Sequence, residues 1–359
     1  VTYFDGRLLW YDFEPQRATC RRAMEKEQKT IDDESGALAD RKKMVPLSRV
    51  NRMFLPVTMQ LNRADNATRA TYPEYDRLYS GANESGVLTI VLLNGRLAHD
   101  HKEARKDDGY YEWMSALDAV FTAHPDFEMT KIEPQENVTN VSAEGKEYKN
   151  LSFKDFIQWT VYGRGYPAGM PTSSRDNLAK TIADRLDNHW VTFEKKTMVS
   201  IGGDAPKPLT IRIETQFGAD EDPAPHRRAL SRGDVVIYNG HSYIGYGPLD
   251  PSNFKTTSFT RGYQILFFDS CVSYNYYEKD FFTLKPNGSK DLDMITNGIE
   301  APEYLSGDAE GKFISRLIDG SAPSYQTLLE AAKATDSLRV VDGEIDNTWR
   351  PDRRPIRFQ

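Results

Sequence analysis

The sequence has few cysteines, no long apolar run and no concentrated block of basic residues. Only two cysteines, Cys20 and Cys271, occur among 359 residues, which excludes a disulfide framework and a cysteine-rich zinc site. No apolar run approaches the roughly 18 residues that span a bilayer, so we expect no membrane span. The net charge is −7 and basic residues are dispersed, which argues against a nucleic-acid-binding protein.

The composition is that of an ordinary globular protein, with 39% hydrophobic and 28% charged residues. The length suffices for a large core, in two domains or in one domain with large insertions. The chain opens on Val1 rather than methionine, which is typical of a processed product. Together with the scarcity of cysteine, this start favours a secreted or periplasmic bacterial protein.

Two apolar runs end abruptly in polar, chemically reactive residues. The first, DVVIYNGHS at 234–242, carries His241, and the second, YQILFFDSC at 263–271, carries Cys271. Continuous apolar runs of this length are typical of strands that are buried on both faces of a parallel sheet. Ligands of open α/β sheets bind beyond the carboxyl ends of the strands. If the two strands are neighbours, the sheet brings an imidazole and a thiol to one rim, as a cysteine nucleophile with a histidine base requires.

Strands and helices alternate from residue 86 onward, which predicts an α/β fold with a mostly parallel sheet. A strand at 86–93, a helix at 111–123 and a strand at 127–132 predict a βαβ unit with a right-handed crossover. Apolar residues at helical spacing predict a further helix over 177–193. We therefore expect an α/β domain over 86–359.

Two further regions complete the predicted organisation. Residues 1–85 are expected to form a β-rich N-terminal region that includes a charged linker. Residues 135–207 are expected to be an insertion in the α/β domain. Within this insertion, Ser152 precedes an amphipathic pattern and predicts a capped helix.

The His241 and Cys271 segments resemble those of the caspase-like cysteine peptidases, which include caspases, legumains, clostripain and gingipains. The sequence YNGHS at 238–242 is similar to the histidine segment of gingipains, and FDSC at 268–271 is similar to the cysteine segment of the bacterial members. The resemblance implies a caspase-like three-layer αβα fold with a mostly parallel central sheet. It further implies hydrolysis of peptide bonds in a protein or peptide substrate, through a thioester intermediate.

The resemblance also assigns roles to residues of the two segments. Cys271 is expected to be the nucleophile, and His241 the base that later acts as an acid. The N–H groups of Cys271 and Ser242 are expected to bind the oxyanion, with Gly240 and Asp269 orienting the site. The family usually has glycine directly after the histidine, so Ser242 is a departure that bears on activity. No cofactor is required, although relatives sometimes bind calcium.

The loop at 96–108 contains charges of both signs and is the expected source of substrate specificity. Asp100, Asp107 and Asp108, together with Tyr243 beyond the histidine, are the candidate substrate-binding residues. Acidic residues at such a position select basic side chains, and the similarity to gingipains favours cleavage after basic residues. Relatives are often cut during activation, and the charged segment at 21–43 is the expected site of self-processing.

Three alternatives remain open. His99, Asp100 and His101 have side chains that suit zinc or manganese, so the 99–108 loop could serve a metal-dependent hydrolase. Ser242 also admits a catalytically inactive caspase-like module that binds partners at a surface, and a Cys20–Cys271 bridge would remove the thiol. Thiol labelling separates these classes, because a peptidase is expected to have one hyper-reactive cysteine.

Overall fold

The computed structural model of this chain describes most of the sequence from residue 70 onward. The described residues are 9–11, 22, 70–98, 103–143, 145–166, 169–219, 222–301, 306–333 and 338–359. Most of the expected β-rich region at 1–85 therefore lies outside the described residues, the exceptions being 9–11, 22 and 70–85, and so does the processing segment at 21–43 apart from residue 22.

Strands and helices alternate along the described part of the chain. The strands are β1 (Leu9–Tyr11), β2 (Val87–Asn94), β3 (Glu128–Glu133), β4 (Val141–Ala143), β5 (Lys146–Tyr148), β6 (Trp190–Ile201), β7 (Lys207–Phe217), β8 (Val235–Asn239), β9 (Gln264–Asp269), β10 (Leu292–Asn297), β11 (Leu338–Asp342) and β12 (Ile356–Phe358). The α-helices are α1 (Tyr75–Ser80), α2 (Asp108–Ala123), α3 (Phe153–Thr160), α4 (Thr172–Leu186), α5 (Pro223–Arg232), α6 (Ser273–Leu284), α7 (Ser306–Leu317) and α8 (Tyr325–Ala331). None of these helices is long and apolar enough to cross a membrane.

One mixed sheet forms the centre of the protein, in the order β1-β11-β10-β9-β8-β2-β7-β6-β12, with β3 also paired to β6. Strands β10, β9, β8, β2 and β7 are mutually parallel, and the outer strands are antiparallel. The prediction of an α/β fold with a parallel sheet centre is confirmed. The short strands β4 and β5 form a separate hairpin.

Helices cover both faces of this sheet because the central strands are apolar on both sides. In β2, Ile90 and Leu92 belong to one apolar layer, which contains residues of α2 and α7. Val91 and Leu93 belong to a second layer on the other face, which contains residues of α5 and α6. Successive strand residues point to opposite faces, so an uninterrupted apolar run serves both layers. The arrangement is compatible with three layers.

The predicted βαβ unit over 86–132 is wrong in its pairing, although its three elements exist. Strand β3 pairs with β6 in the antiparallel sense, and the parallel neighbour of β2 is β7. Four of the six residues of β3, EMTKIE, are polar and the strand is partly exposed, which suits an edge strand. A central parallel strand needs apolar residues on both faces.

The helix predicted over 177–193 exists as α4, but its bounds are wrong, because α4 spans Thr172–Leu186 and β6 begins at Trp190. Between them Asn188 has φ of 58°, a left-handed conformation that asparagine tolerates and that ends a helix. Within 135–207, β6 extends the main sheet beside β7. The capped helix is found at α3, where Ser152 and Asp155 form a capping box.

Buried polar residues lie side by side on adjacent strands, along the rim where the central parallel strands have their carboxyl ends. Asn94 lies opposite Asn239, Asn239 opposite Asp269, and Asn297 opposite Arg339. We call these five residues the polar row. Asp269 accepts a hydrogen bond from Asn297 Nδ2 (2.7 Å) and pairs with Arg339 (2.8 Å), and the side chains of this ion pair are fully buried.

Removal of the Arg339 charge should strongly destabilise the fold. We expect Arg339→Met to lower the free energy of unfolding by about 3–5 kcal/mol, because Asp269 would remain as an uncompensated buried charge. Urea denaturation followed by circular dichroism measures this change. The matched control is Arg357→Met on the exposed β12, which should change stability by less than ~0.5 kcal/mol. Equal effects of the two substitutions would contradict a structural role for the pair.

Candidate active site

The strand order of the sheet reverses between β2 and β8. The chain passes from β2 to β7 on one side, whereas β8, β9 and β10 follow one another on the other side. Such a reversal of strand order is where open α/β sheets bind their ligands. The loops after β2 and β8 contact each other at this position: Gly95 N donates to Asn239 O (2.7 Å), and His241 Nε2 lies 3.0 Å from Leu97 O.

His241 and Cys271 lie on neighbouring loops of this rim. Strands β8 and β9 are parallel, and Asn239 lies opposite Asp269 in their register. His241 and Cys271 each follow two residues later, and both are half-buried. Neighbouring strands are about 4.8 Å apart, so the two loops leave the sheet side by side. The structure therefore brings together the two residues that the sequence singles out.

The contact with Leu97 defines the tautomer of the His241 ring. A carbonyl oxygen only accepts hydrogen bonds, so the Nε2 atom beside Leu97 O must carry the proton. In the neutral imidazole the lone pair then lies on Nδ1, which is the nitrogen that acts as a base. The ring also packs edge-on against Tyr243, with centroids 5.7 Å apart.

Cys271 is a free thiol, and Cys20, its partner in the alternative of a disulfide bridge, lies outside the described residues. Burial raises the pKa of this thiol, the Ala301 backbone opposes that effect, and the carboxylates of Glu300 and Asp269 raise the pKa further. The resting thiol is therefore protonated at neutral pH. The sequence predicts a hyper-reactive cysteine, whereas this environment disfavours the reactive thiolate. A base must therefore remove the proton during reaction.

Strained backbone surrounds both loops. Val272, directly after Cys271, has φ of 51°, and Tyr243 and Ile244 after the histidine have φ of 49° and 55°. The left-handed region is unfavourable for bulky and especially for β-branched residues, at about 1–3 kcal/mol each. Strain of this kind accumulates at functional sites. Helix α6 begins directly after Val272, so Cys271 lies near the positive end of a helix dipole.

The residue after the histidine does not need to be glycine in this chain. Ser242 has φ of −81° and ψ of −16°, an ordinary right-handed conformation that any residue adopts. The position that requires glycine is Gly240, where a Cβ would lie 2.4 Å from Tyr238 Oη. The departure from the family pattern at Ser242 is thus compatible with the loop conformation.

The acidic residues predicted to bind substrate have different locations. Asp107 is buried, and its carboxylate accepts hydrogen bonds from backbone N–H groups of Leu97, Ala98 and Gly109. It therefore supports the loop after β2 from within. Asp108 lies in the first turn of α2, and Asp100 is outside the described residues. The Asp269 carboxylate interacts with Asn297 and Arg339 in the polar row.

No group of three or more histidine, cysteine, aspartate and glutamate side chains is placed to hold a metal within the described ranges. His99 and His101, which motivated the metal-site alternative, lie outside those ranges. A cavity of about 540 Å³ lies elsewhere, near the amino ends of β2 and β7, where Gly86 and Lys207 are among its lining residues. It is at the opposite end of the sheet from His241 and Cys271.

Three residues of the site escaped the sequence analysis. Glu300 follows β10 and is close enough to Cys271 for its charge to raise the pKa of the thiol, while Tyr238 and Tyr277 donate to the carbonyls of His241 and Ser242. Tyr277 belongs to the aromatic stretch that follows Cys271, and this stretch forms α6 with Tyr277 and Phe281 buried. In the sequence, the only sign that Tyr277 is important is the concentration of aromatic residues around it. Its hydrogen-bond partner Ser242 is 35 residues away, so no local pattern connects the two residues.

The acid–base behaviour of the thiol provides a direct test of this environment. We expect the alkylation rate of Cys271 by iodoacetamide to rise with an apparent pKa above the ordinary thiol value near ~8.5. Glu300→Gln should lower that pKa, since a nearby carboxylate disfavours the thiolate. Mass spectrometry of the Cys271 peptide across pH 6 to 11 gives both profiles.

Glu330→Gln on the exposed end of α8 is the matched control and should leave the profile unchanged. A wild-type midpoint below 8.5, or identical profiles for all three proteins, would contradict the described environment.

This chain has no match among protein-family models, among curated proteins or among solved structures. Its site is therefore defined by its own geometry. That geometry consists of a histidine and a free cysteine on adjacent loops at the carboxyl rim of the parallel strands, next to the reversal of strand order.

Proposed function

We propose that this protein is a cysteine endopeptidase of caspase-like fold that hydrolyses peptide bonds through a thioester on Cys271. The observation that carries the proposal is the placement of His241 and Cys271 on neighbouring loops where β8 and β9 end in register. The similarity of both segments to caspase-like peptidases supports it. The three-layer α/β arrangement is compatible with it.

In the proposed first step, His241 Nδ1 removes the proton from Cys271 as the sulfur attacks the carbonyl carbon of the substrate. The thiol needs this base, because burial and the carboxylates of Glu300 and Asp269 raise its pKa. The carbonyl oxygen becomes an oxyanion in a tetrahedral intermediate. The C–N bond then breaks, the imidazolium protonates the leaving amine, and the acyl group remains on sulfur.

In the second step, water attacks the thioester while His241 takes one of its protons. The C–S bond breaks, the sulfur recovers a proton from the imidazolium, and the carboxylic acid product leaves. The Leu97 carbonyl keeps a proton on Nε2 throughout, so Nδ1 is the nitrogen that gains and loses a proton in each step. No step requires a cofactor.

The charge near the thiol favours substrates with a basic side chain at the cleaved bond. Glu300 is exposed and close enough to Cys271 to raise its pKa. A cationic substrate side chain beside Glu300 would be attracted and would also relieve the effect of this carboxylate on the thiol. In this proposal Glu300 selects the basic side chain of the substrate, a role that the sequence predicts for acidic residues of the 96–108 loop.

Hydrolysis of fluorogenic peptides tests the proposal. We expect cleavage after arginine or lysine, complete loss in Cys271→Ala, and a loss of roughly 10²–10⁴-fold in His241→Ala, as for other general bases. Cys20→Ala serves as the cysteine control and should remain active. Rates with and without chelator complete the measurement.

Activity that persists in Cys271→Ala but disappears with chelator would replace the peptidase by the metal-dependent hydrolase. Peptide binding without cleavage by the wild-type protein would favour the inactive binding module.

A further inference from the structure

Two buried tyrosines hold two successive carbonyl groups of the loop after His241. The Tyr238 hydroxyl donates to His241 O at 3.1 Å, and the Tyr277 hydroxyl donates to Ser242 O at 2.6 Å. Both tyrosine rings belong to the apolar layer that contains α5 and α6. Two adjacent peptide groups are therefore fixed from the same side.

The direction of the carbonyls determines the direction of the amides. In a trans peptide the C=O and N–H groups point to opposite sides. Because His241 O points to Tyr238, the N–H of Ser242 points away from the layer of α5 and α6. The same geometry applies to the next peptide, whose carbonyl points to Tyr277.

The backbone conformation at these peptides is one that forms anion-binding concavities. Ser242 is right-handed (φ −81°), and Tyr243 is left-handed (φ 49°). A right-handed residue followed by a left-handed one turns successive N–H groups towards one point, where an anion can bind. The left-handed conformation of Tyr243 is costly, so the loop needs external support to keep it.

Helix α6 provides that support and also connects it to the nucleophile. The helix begins at Ser273, two residues after Cys271, and presents Tyr277 to the loop one turn later. Tyr277 is packed against Phe268 and Phe281, with ring centroids 5.8 and 6.1 Å away. The position of the Ser242 peptide is therefore coupled to the element that starts at the thiol.

We infer that Tyr238 and Tyr277 are positioning residues that aim the Ser242 N–H at the oxyanion formed when Cys271 attacks a carbonyl. The inference rests on the proposed peptidase function and extends it to residues that touch no substrate. It also explains how Ser242 serves where relatives have glycine, since tyrosine hydroxyls rather than a glycine conformation orient the amide.

Phenylalanine substitutions test the inference because each removes one hydroxyl and keeps the ring. We expect Tyr238→Phe and Tyr277→Phe each to lower kcat by on the order of 10- to 100-fold with little change in KM, as a misaimed group does. A peptide aldehyde, whose adduct on sulfur carries an oxyanion, should bind less tightly by a similar factor. Alkylation by iodoacetamide forms no oxyanion and should proceed at the wild-type rate.

Tyr276→Phe is the matched control. Tyr276 neighbours Tyr277 on α6 and packs near Gly245, and its hydroxyl makes no hydrogen bond to the residues that the structure describes. Its kcat should equal that of the wild type. Melting temperatures of all variants verify that the fold is retained.

Wild-type kcat in both Tyr238→Phe and Tyr277→Phe, with an active wild-type protein, would overturn the positioning role and leave the peptidase intact. A lower kcat accompanied by a lower melting temperature and altered alkylation of Cys271 would show general loosening and would also overturn it. An inactive wild-type protein would refute the peptidase proposal, and the inference with it.

Discussion

The ion pair between Asp269 and Arg339 is the constraint on which the rim of the sheet depends. Both side chains are fully buried, and Asn297 completes the shell of Asp269. A buried ion pair contributes little net stability compared with well-packed apolar residues. Removal of one partner, however, leaves the other as an unpaired buried charge and strongly destabilises the fold. The pair therefore specifies which ends of β9, β10 and β11 lie together. Glu310 is a further buried acid near this pair, and burial together with the neighbouring Asp269 and Glu112 raises its pKa.

The polar row places the reactive loops because they begin within two residues of it. Asn239 precedes Gly240 and His241, while Asp269 precedes Ser270 and Cys271, so a fixed row fixes both starting points. Further anchors then act on each loop. The Leu97 carbonyl holds the imidazole, and α6 begins directly beyond the thiol. Strained residues persist at the rim because this framework over-determines their backbone.

Local patterns in the sequence predict the central strands well, but they predict pairing poorly. The apolar runs of β2, β8 and β9 are clear in the sequence, since strands buried on both faces favour apolar residues. The edge position of β3 and the change from α4 to β6 depend on distant neighbours, which periodicity does not encode. The same limit applies to the site. His241 and Cys271 are visible as strand ends, whereas the pairing of Asp269 with Arg339 joins residues 70 positions apart.

Detection of the thioester on Cys271 is the most direct test of the proposed peptidase mechanism. A fluorogenic peptide with arginine at the cleaved bond is mixed with the protein, the reaction is quenched in acid within the first turnover, and the intact mass is measured. We expect a mass increase equal to the mass of the acyl fragment, located on the peptide that contains Cys271. This increase should be absent in His241→Ala. An adduct on any other residue, or substrate turnover without an adduct on Cys271, would contradict the proposed mechanism.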